Sequence, residues 1–497
     1  MKEFGLFING RWESAKGGKT APTINPATEE PWATVAVADR EDARKAVAAA
    51  KKAHDSGVWR KKSKEERAEV LGKIAALITE RQDELGAAEA QDGGGTIRKA
   101  MLADVPGCAG TFQVYQHALL GDVEEEEFSE AEPIPSRNIV RKEPIGVCVG
   151  IIPWNFPLVM ASWKIAPAIA AGNTVVIKPA TNTPVTALML AEICSQAGVP
   201  DGVVNVISGP GASIGEELAA HPDVGKVAFT GSTEVGRRIM QIASGTIKKV
   251  TLELGGKSPN IILDDADMDT AALGALFGTF LHQGQICESG TRVLVPQSHY
   301  DSFIQKMIDG SSRIQIGDTL DMMTGMGPLV SQAQLDTVEN YVGVGKDEGA
   351  ECVLGGSRPE GLDKGYFYSP TIFSGVENKM RIAQEEIFGP VVSMIPYKDE
   401  EEAVRIANDS MYGLGGAVWS QNEERALAVA RQIDTGTVWI NDYHLINPRF
   451  PFGGYKQSGV GRELGPWGLR EYQEIKHIHV GQAVPADQKI YLGMLFN

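Results

Sequence analysis

Cysteine is scarce and scattered in this chain. The 497 residues hold five, at Cys108, Cys148, Cys194, Cys287 and Cys352, an odd number with no CxxC pair and no Cys/His cluster at metal-ligand spacing. A disulfide scaffold is excluded, no metal site is expected, and a reducing, cytoplasmic compartment fits best. Basic charge is short as well: 47 Lys and Arg against 64 Asp and Glu leave a net charge of -17. Such a surface repels a phosphate backbone unless a local basic patch offsets it, and the sequence has none, so nucleic acid is not an expected partner. The opening MKEFGLFINGRW lacks the basic-then-apolar pattern of a secretory leader. One uncharged stretch, Pro144 to Trp163, is long enough to span a bilayer. Pro153, Pro157 and Asn155 split it into two differently patterned halves, which reads as a buried strand, a turn and a helix start. No membrane partner is expected.

What is present is the material of a large globular protein: 43% hydrophobic and 22% charged residues, with 56 Gly and 26 Pro. At roughly 150 residues per domain the length suggests about three. From Val147 onward, short β-branched runs alternate with helical patterns: VCVGII (147–152), a helix over Leu158 to Ala171 kinked near Pro167, and TVVIKP (174–179). TPVTALMLAEICSQAG then reads as a helix with Thr183 as N-cap, Pro184 at its first position and Gly198 closing it. VVNVIS, a helix around IGEELAAH, KVAFTG and TEVGRRIMQIA continue the alternation. Right-handed crossovers then imply a doubly wound α/β domain with a parallel sheet. A second alternating series follows LELGGKSP (252–259), running from NIILDD through TRVLVP to VVSMIP and GTVWIN, with a boundary near Gly255–Gly256. On charge alone the acidic run VEEEEFSEAE (123–132) reads as a solvated turn.

Several residues could carry chemistry. SGPGASIG (208–215) and TGSTEVG (230–236) each follow a strand pattern and open a helix, where backbone N–H groups can approach a phosphate. Neither is a full GxGxxG, and such turns are common in any α/β protein. Cys287 sits in HQGQICESGTR between Gly284 and Gly290. Most unpaired cysteines are small core residues, but Gln285 and Glu288 make this segment too polar for an ordinary core, and a thiol on such a turn can serve as a nucleophile. Glu253 lies among Val250, Leu252 and Leu254 at a strand end, where an acid is costly to bury without a task or a partner. Asn155, in an apolar turn, either caps the next helix or donates to an oxyanion.

Taken in order, PWNFPL (153–158), VIKPA (176–180), FTGSTEVG (229–236), LELGGKSP (252–259), GQICESG (284–290), EEIFGPV (385–391) and PFGGYKQSGVGRELG (451–465) closely resemble the aldehyde dehydrogenase superfamily across essentially the whole chain. The resemblance implies two doubly wound α/β domains plus a small β oligomerisation arm. The cofactor domain, Rossmann-like, would comprise residues 1–122 and 143–254, the catalytic domain 255–457, and the arm 123–142 and 458–497. The acidic run would then flank a hairpin that completes a neighbour's sheet, so a homo-oligomer, dimer or tetramer, is expected.

By the same resemblance Cys287 is the nucleophile, Asn155 with the Cys287 backbone N–H stabilises the oxyanion, and Glu253 is the general base that hydrolyses a thioester to a carboxylic acid. NAD or NADP would be held by Ile151, Pro153, Trp154, Lys178, Thr181, Gly209, Phe229, Gly231, Ser232, Val235, Leu254, Glu386 and Phe388. Many NAD-preferring members carry glutamate where Thr181 stands. A carboxylate there repels a 2′-phosphate, whereas threonine can donate to it, so NADP should be tolerated. Positions matching the substrate tunnel are Phe156, Met160, Trp163, Ile286, Glu288, His444, Ile446 and Phe452, mostly apolar, which favours an apolar aliphatic or aromatic aldehyde. Glu288 would raise the thiol pKa if it faced Cys287, and is expected to point away into an ion pair instead. Arg449 offers a semialdehyde alternative by binding a substrate carboxylate. An acylating, coenzyme A-dependent reaction is disfavoured by Glu253, and a catalytically silent dinucleotide-binding protein by the joint presence of Cys287, Glu253 and Asn155.

Overall fold

The computed structural model describes residues 2–131 and 135–496; Met1, residues 132–134 of the acidic segment and Asn497 lie outside it. Its frame is two mostly parallel sheets. The first has eight strands in the spatial order 459–460, 249–253, 224–230, 147–151, 174–178, 204–206, 6–8 and 11–13. The five from Lys249–Glu253 to Val204–Val206 pair in parallel, and the three flanking strands antiparallel. Every residue of Val147–Ile151 and Thr174–Lys178 is buried, which is why both are continuous β-branched runs and do not alternate. Helices Pro157–Ala170 and Val185–Gln196 pack on the face carrying Cys148, Val175 and Ile177. Arg40–Ser56 and Thr233–Ala243 pack on the face carrying Val147, Val149 and Val176. The domain is doubly wound.

Two local expectations change. Helix Pro157–Ala170 runs through Pro167, which stands within its last turn. Thr183 does not cap the next helix: its hydroxyl donates to the Trp154 carbonyl at 3.1 Å, and the Val185 N–H instead donates to Asp92 Oδ2 at 3.0 Å. A carboxyl group from a distant helix serves a buried helix start better than a local hydroxyl, because it also meets the positive end of the dipole.

The second sheet orders its seven strands 351–354, 371–374, 391–397, 292–296, 259–262, 415–419 and 437–440, parallel except for Glu351–Leu354. A third, antiparallel sheet joins Glu125–Glu130, Ser136–Pro144 and Gln473–Gly481. The acidic run is therefore a strand and not a turn. Glu125 and Glu127 face Arg141 and Arg137 across the ladder at 3.6 Å, so pairing replaces repulsion. Residues 459–460 bind to Leu252 and Glu253 in the first sheet; within 458–497, the strand in the third sheet is 473–481.

Candidate active site

Strand order in the first sheet reverses between Val147–Ile151 and Val224–Thr230. The connections leaving those two strands run in opposite directions, and the crevice they open is where α/β sheets bind ligands. A cavity of about 650 Å³ begins there, bounded by Pro153, Trp154, Thr230, Gly231, Ser232 and Leu254, and passes between the two sheets to Trp163 and Phe452. Ser232 caps helix Thr233–Ala243, accepting from the Val235 N–H at 3.3 Å, so a dipole-positive helix end looks into the crevice. Ile151 and Phe229 lie behind it in the core. Lys178, at a strand end, is buried beside Gly211 without an ion-pair or hydrogen-bond partner among the described residues, and burial alone pushes its ammonium down to about 8. Thr181 is exposed and donates to the Gly209 carbonyl at 3.3 Å. A buried cation lacking a counter-charge, next to a glycine turn and a free helix end, fits a phosphate-bearing dinucleotide.

The two sheets meet through Gly255–Gly256. A Cβ on Gly255 would stand 2.2 Å from Glu386 Oε2, and one on Gly256 would stand 2.3 Å from the Cys287 carbonyl oxygen. Any side chain would push Glu386 or the cysteine loop out of place, which explains the paired glycines one residue after Glu253. The Gly256 N–H donates to Glu386 Oε1 at 3.1 Å. Phe388 follows at a left-handed φ of 57°, its ring 5.2 Å from Trp154, and Gln334 holds this strained bend by donating to the Ile387 and Phe388 carbonyls.

Cys287 is carried by a turn in which His282, Gln283 and Gly284 are all left-handed. Gln283 fixes the turn by donating to the Gly94 and Pro328 carbonyls at 2.7 and 2.6 Å. Asn155 donates from Nδ2 to the Gln285 carbonyl at 2.8 Å, bridging the two domains two residues before the thiol; it does not cap its own helix. The Cys287 N–H has no acceptor among the described residues. Phe156, Met160, Ile286, Glu288, His444, Ile446, Glu253, Glu386 and Phe388 join Asn155 and Cys287 around the cavity. Gly209, Val235, Lys178 and Thr181 lie outside its walls, as does the exposed Arg449. The semialdehyde reading loses its anchor.

Charge in the site is lopsided. Burial, followed by the neighbouring Glu288 carboxylate, pushes the Cys287 thiol well above its ordinary range. Burial and repulsion from Glu463 do the same to Glu253, against the opposing pull of Lys164 and Arg462; its Oε2 has no hydrogen-bond partner. Burial raises Glu386 to about 7. Glu288 goes the other way: burial pushes it up, but His444 and the thiol bond its two oxygens and hold it below the usual carboxylate range. It does not point away from Cys287. Its Oε2 accepts from Sγ at 3.0 Å, while Oε1 pairs with His444 at 3.1 Å, so the expected ion pair and the approach to sulfur coexist.

A cysteine thiol, an amide bonded to the backbone two residues before it and a buried carboxyl, all lining one cavity that opens from the crevice, match the order of motifs in the sequence. The aldehyde dehydrogenase family model matches residues 12–478. The chain belongs to the aldehyde dehydrogenase family. Betaine aldehyde dehydrogenase of Bacillus subtilis is 47% identical over 477 residues, covering 95% of this chain and 96% of that protein. Among solved structures, a NAD+ complex of betaine aldehyde dehydrogenase from Staphylococcus aureus superposes with a TM-score of 0.94 at 40% identity, covering 97% of this chain and 95% of that one. The NAD+ complex of a Bacillus cereus aldehyde dehydrogenase gives 0.94 at 45%, covering 97% of each.

Four contributors escaped the sequence reading. Lys164, paired with Glu463 behind Glu253, had a visible signal: it is the single charge in the apolar helix PLVMASWKIAPAIA. Lys99 and Asp104, a buried 2.6 Å pair on the cavity wall, sit at the two ends of a π-helical stretch whose spacing gives no helical pattern to read. Gln334 acts over more than fifty residues and left no local trace.

Proposed function

We propose that this protein oxidises an aldehyde to a carboxylic acid with NAD(P)+ as oxidant, using Cys287 as nucleophile, Asn155 as oxyanion donor and Glu253 as the base for hydrolysis. The observation that carries the reading is the convergence of those three side chains on one cavity from three separate segments. Cys287 first loses its S–H proton to solvent; the thiolate Sγ then bonds to the carbonyl carbon, and the oxygen takes the electron pair of the C=O π bond. The second N–H of the Asn155 amide, its first being fixed on Gln285, and the free Cys287 N–H supply donors for that oxyanion. NAD(P)+, when bound, supplies the acceptor for the hydride that leaves the carbon, which turns the Cys287 adduct into a thioester. Glu253 Oε2 takes a proton from water as the water attacks the thioester, and the Cys287 sulfur leaves.

Pro153, Trp154, Gly231, Ser232 and Leu254 would hold the cofactor, with Lys178 at its adenosine end and Glu386 and Phe388 at its ribose near the thiol. Thr181 brings no carboxylate to repel a 2′-phosphate, so NADP is accepted. A preference for NAD above roughly a thousandfold in kcat/KM, about 4 kcal/mol, would refute that. Phe156, Met160, Trp163, Ile286, Ile446 and Phe452 make the substrate end apolar, favouring an aliphatic or aromatic aldehyde. The Lys99 ammonium already sits 4.2 Å over the Phe156 ring, occupying the seat a cationic substrate would take there. Strands 125–130, 136–144 and 473–481 form an arm whose exposed Phe128, Ile475, Ile478 and Val480 suit a homo-oligomer. No described helix is long and apolar enough to cross a membrane, and all five cysteines are free, which suits the cytoplasm. Absorbance of reduced cofactor over a panel of apolar aldehydes and betaine aldehyde, with wild type and Cys287→Ala, tests the whole reading. No reduction by wild type with any aldehyde, or an unimpaired variant, would sink it.

A further inference from the structure

The hydrogen bonds around Glu288 go beyond what hydrolysis requires. Cys287 Sγ donates to Glu288 Oε2 at 3.0 Å, Glu288 Oε1 meets His444 Nδ1 at 3.1 Å, and His444 Nε2 meets the Gly278 carbonyl at 3.0 Å. A carbonyl only accepts, so Nε2 carries a hydrogen. The Glu288 carboxyl has both oxygens engaged, one with the thiol and one with the ring. Both side chains of the pair are 4% exposed. The backbone beneath is fixed: the Tyr443 hydroxyl donates to the Glu288 carbonyl at 2.8 Å, and the Tyr443 and Phe277 rings stand edge-on to His444.

We infer that Glu288 and His444 form a catch on the nucleophile, in which the carboxylate holds the proton on Cys287 sulfur in the resting enzyme and the His444 ring, bonded to Oε1, holds the carboxylate in place. A hydrogen bond given by the neutral thiol to an anion stabilises the thiol over the thiolate, and only the thiolate is a strong nucleophile. The catch keeps a sulfur that opens onto a cavity from reacting with stray electrophiles. The other titratable groups facing the thiol are Glu253, from the strand Lys249–Glu253, and Glu386, from the loop after Arg381–Gln384; both are acids, and neither hydrogen-bonds the sulfur. Helix Met268–Phe280 offers only the Gly278 carbonyl and the Phe277 ring, strand Gly415–Trp419 places Gly415 against the Glu288 side chain, and the segment after Thr437–Ile440 adds Tyr443 beside His444.

The inference rests on Cys287 being the nucleophile, and its test uses neither aldehyde nor cofactor. The rate of Cys287 alkylation by iodoacetamide is followed against pH, with peptide mapping to separate it from the partly exposed Cys352. In Glu288→Gln the amide oxygen keeps His444 while its N–H group turns to sulfur, replacing an anionic acceptor with a donor. Alkylation at neutral pH should rise at least about tenfold as the midpoint falls by about one pH unit or more. Glu288→Asp, one methylene shorter, should move the profile the same way by less. A merely structural role for Glu288 would leave the profile in place. An unchanged or upward-shifted midpoint in Glu288→Gln, or in Glu288→Asp if the first variant does not fold, would overturn the catch. A wild type that oxidises no aldehyde would sink the proposed function while this profile still decides the catch.

Discussion

Replacing Glu253 with Gln separates the two halves of the reaction. The side chain ends the strand Lys249–Glu253 with 4% of its surface exposed, and its Oε2 has no partner. Because burial and Glu463 favour the protonated carboxyl, the neutral amide copies the form that packing already prefers, and the fold should tolerate it. What disappears is the ability to take a proton from water. A positioned general base contributes about 10²–10⁴ in rate, which at about 1.36 kcal/mol per tenfold is a loss of roughly 3–5 kcal/mol in the deacylation barrier alone. In a stopped-flow trace of reduced-cofactor absorbance, the variant should give a burst approaching one equivalent per site, then a steady-state rate lowered by that factor. The pH dependence carries a sign as well. A base whose pKa is raised works only once pH climbs through that value, so where deacylation limits turnover, wild-type turnover should rise with pH above the ordinary carboxylate range, and the variant should lose that limb. An unchanged steady state would reassign the base. A missing burst would show that Glu253 is needed before the thioester forms.

Other perturbations probe separate parts of the structure. Asn155→Ala removes an oxyanion donor and should slow the burst by about 10²–10³, roughly 2.7–4 kcal/mol; a burst at the wild-type rate would leave the oxyanion to the backbone alone. Thr181→Glu places a carboxylate near the partnerless Lys178 and should lower kcat/KM for NADP far more than for NAD; equal losses would mean that this position does not meet the 2′-group. Lys164→Met strands Glu463 as a buried charge and should cost about 3–5 kcal/mol in denaturant unfolding; a loss under 1 kcal/mol would mean the pair is wetter than its burial suggests. Ile478→Lys puts a charge on the exposed arm sheet and should lower the mass measured by light scattering, an outcome that fails if the wild type is already a monomer.

Much of the frame was legible because buried parallel strands have no solvent face: runs such as VCVGI and TVVIK are rich in β-branched residues and do not alternate with polar ones, and the helix over Thr233–Ala243 begins where Ser232 caps it. The site was legible where chemistry forces an awkward residue into an apolar strand or turn, as with Glu253 and Asn155. The failures share one physical origin, which is that the partner lay far away in sequence. Thr183 looked like a helix cap until Asp92 took the Val185 N–H from 93 residues away. The acidic run looked repulsive until Arg137 and Arg141 faced it across a ladder. Glu288 was expected either to face sulfur or to form an ion pair, and a carboxylate with two oxygens does both.

That last point bears on why one thiol sits among several acids. Glu253 and Glu288 are the same residue type within one cavity, yet their surroundings push them in opposite directions. Glu288 has His444 bonded to one oxygen and a thiol to the other, which favours its ionised form. Glu253 has the Lys164–Glu463 pair nearby, a partnerless Oε2 and no cation bonded to it, so it can gain and lose a proton during turnover. Two carboxyl groups held apart in this way can divide the work of acid–base chemistry. If the roles were exchanged, the carboxyl with the lowered pKa would be a weak base for water, and the one with the raised pKa a poor catch for a thiol. The arrangement present gives each carboxyl the one task its environment allows, and it places the base on the first sheet and the catch on the loop leading into the second, joined across Gly255–Gly256.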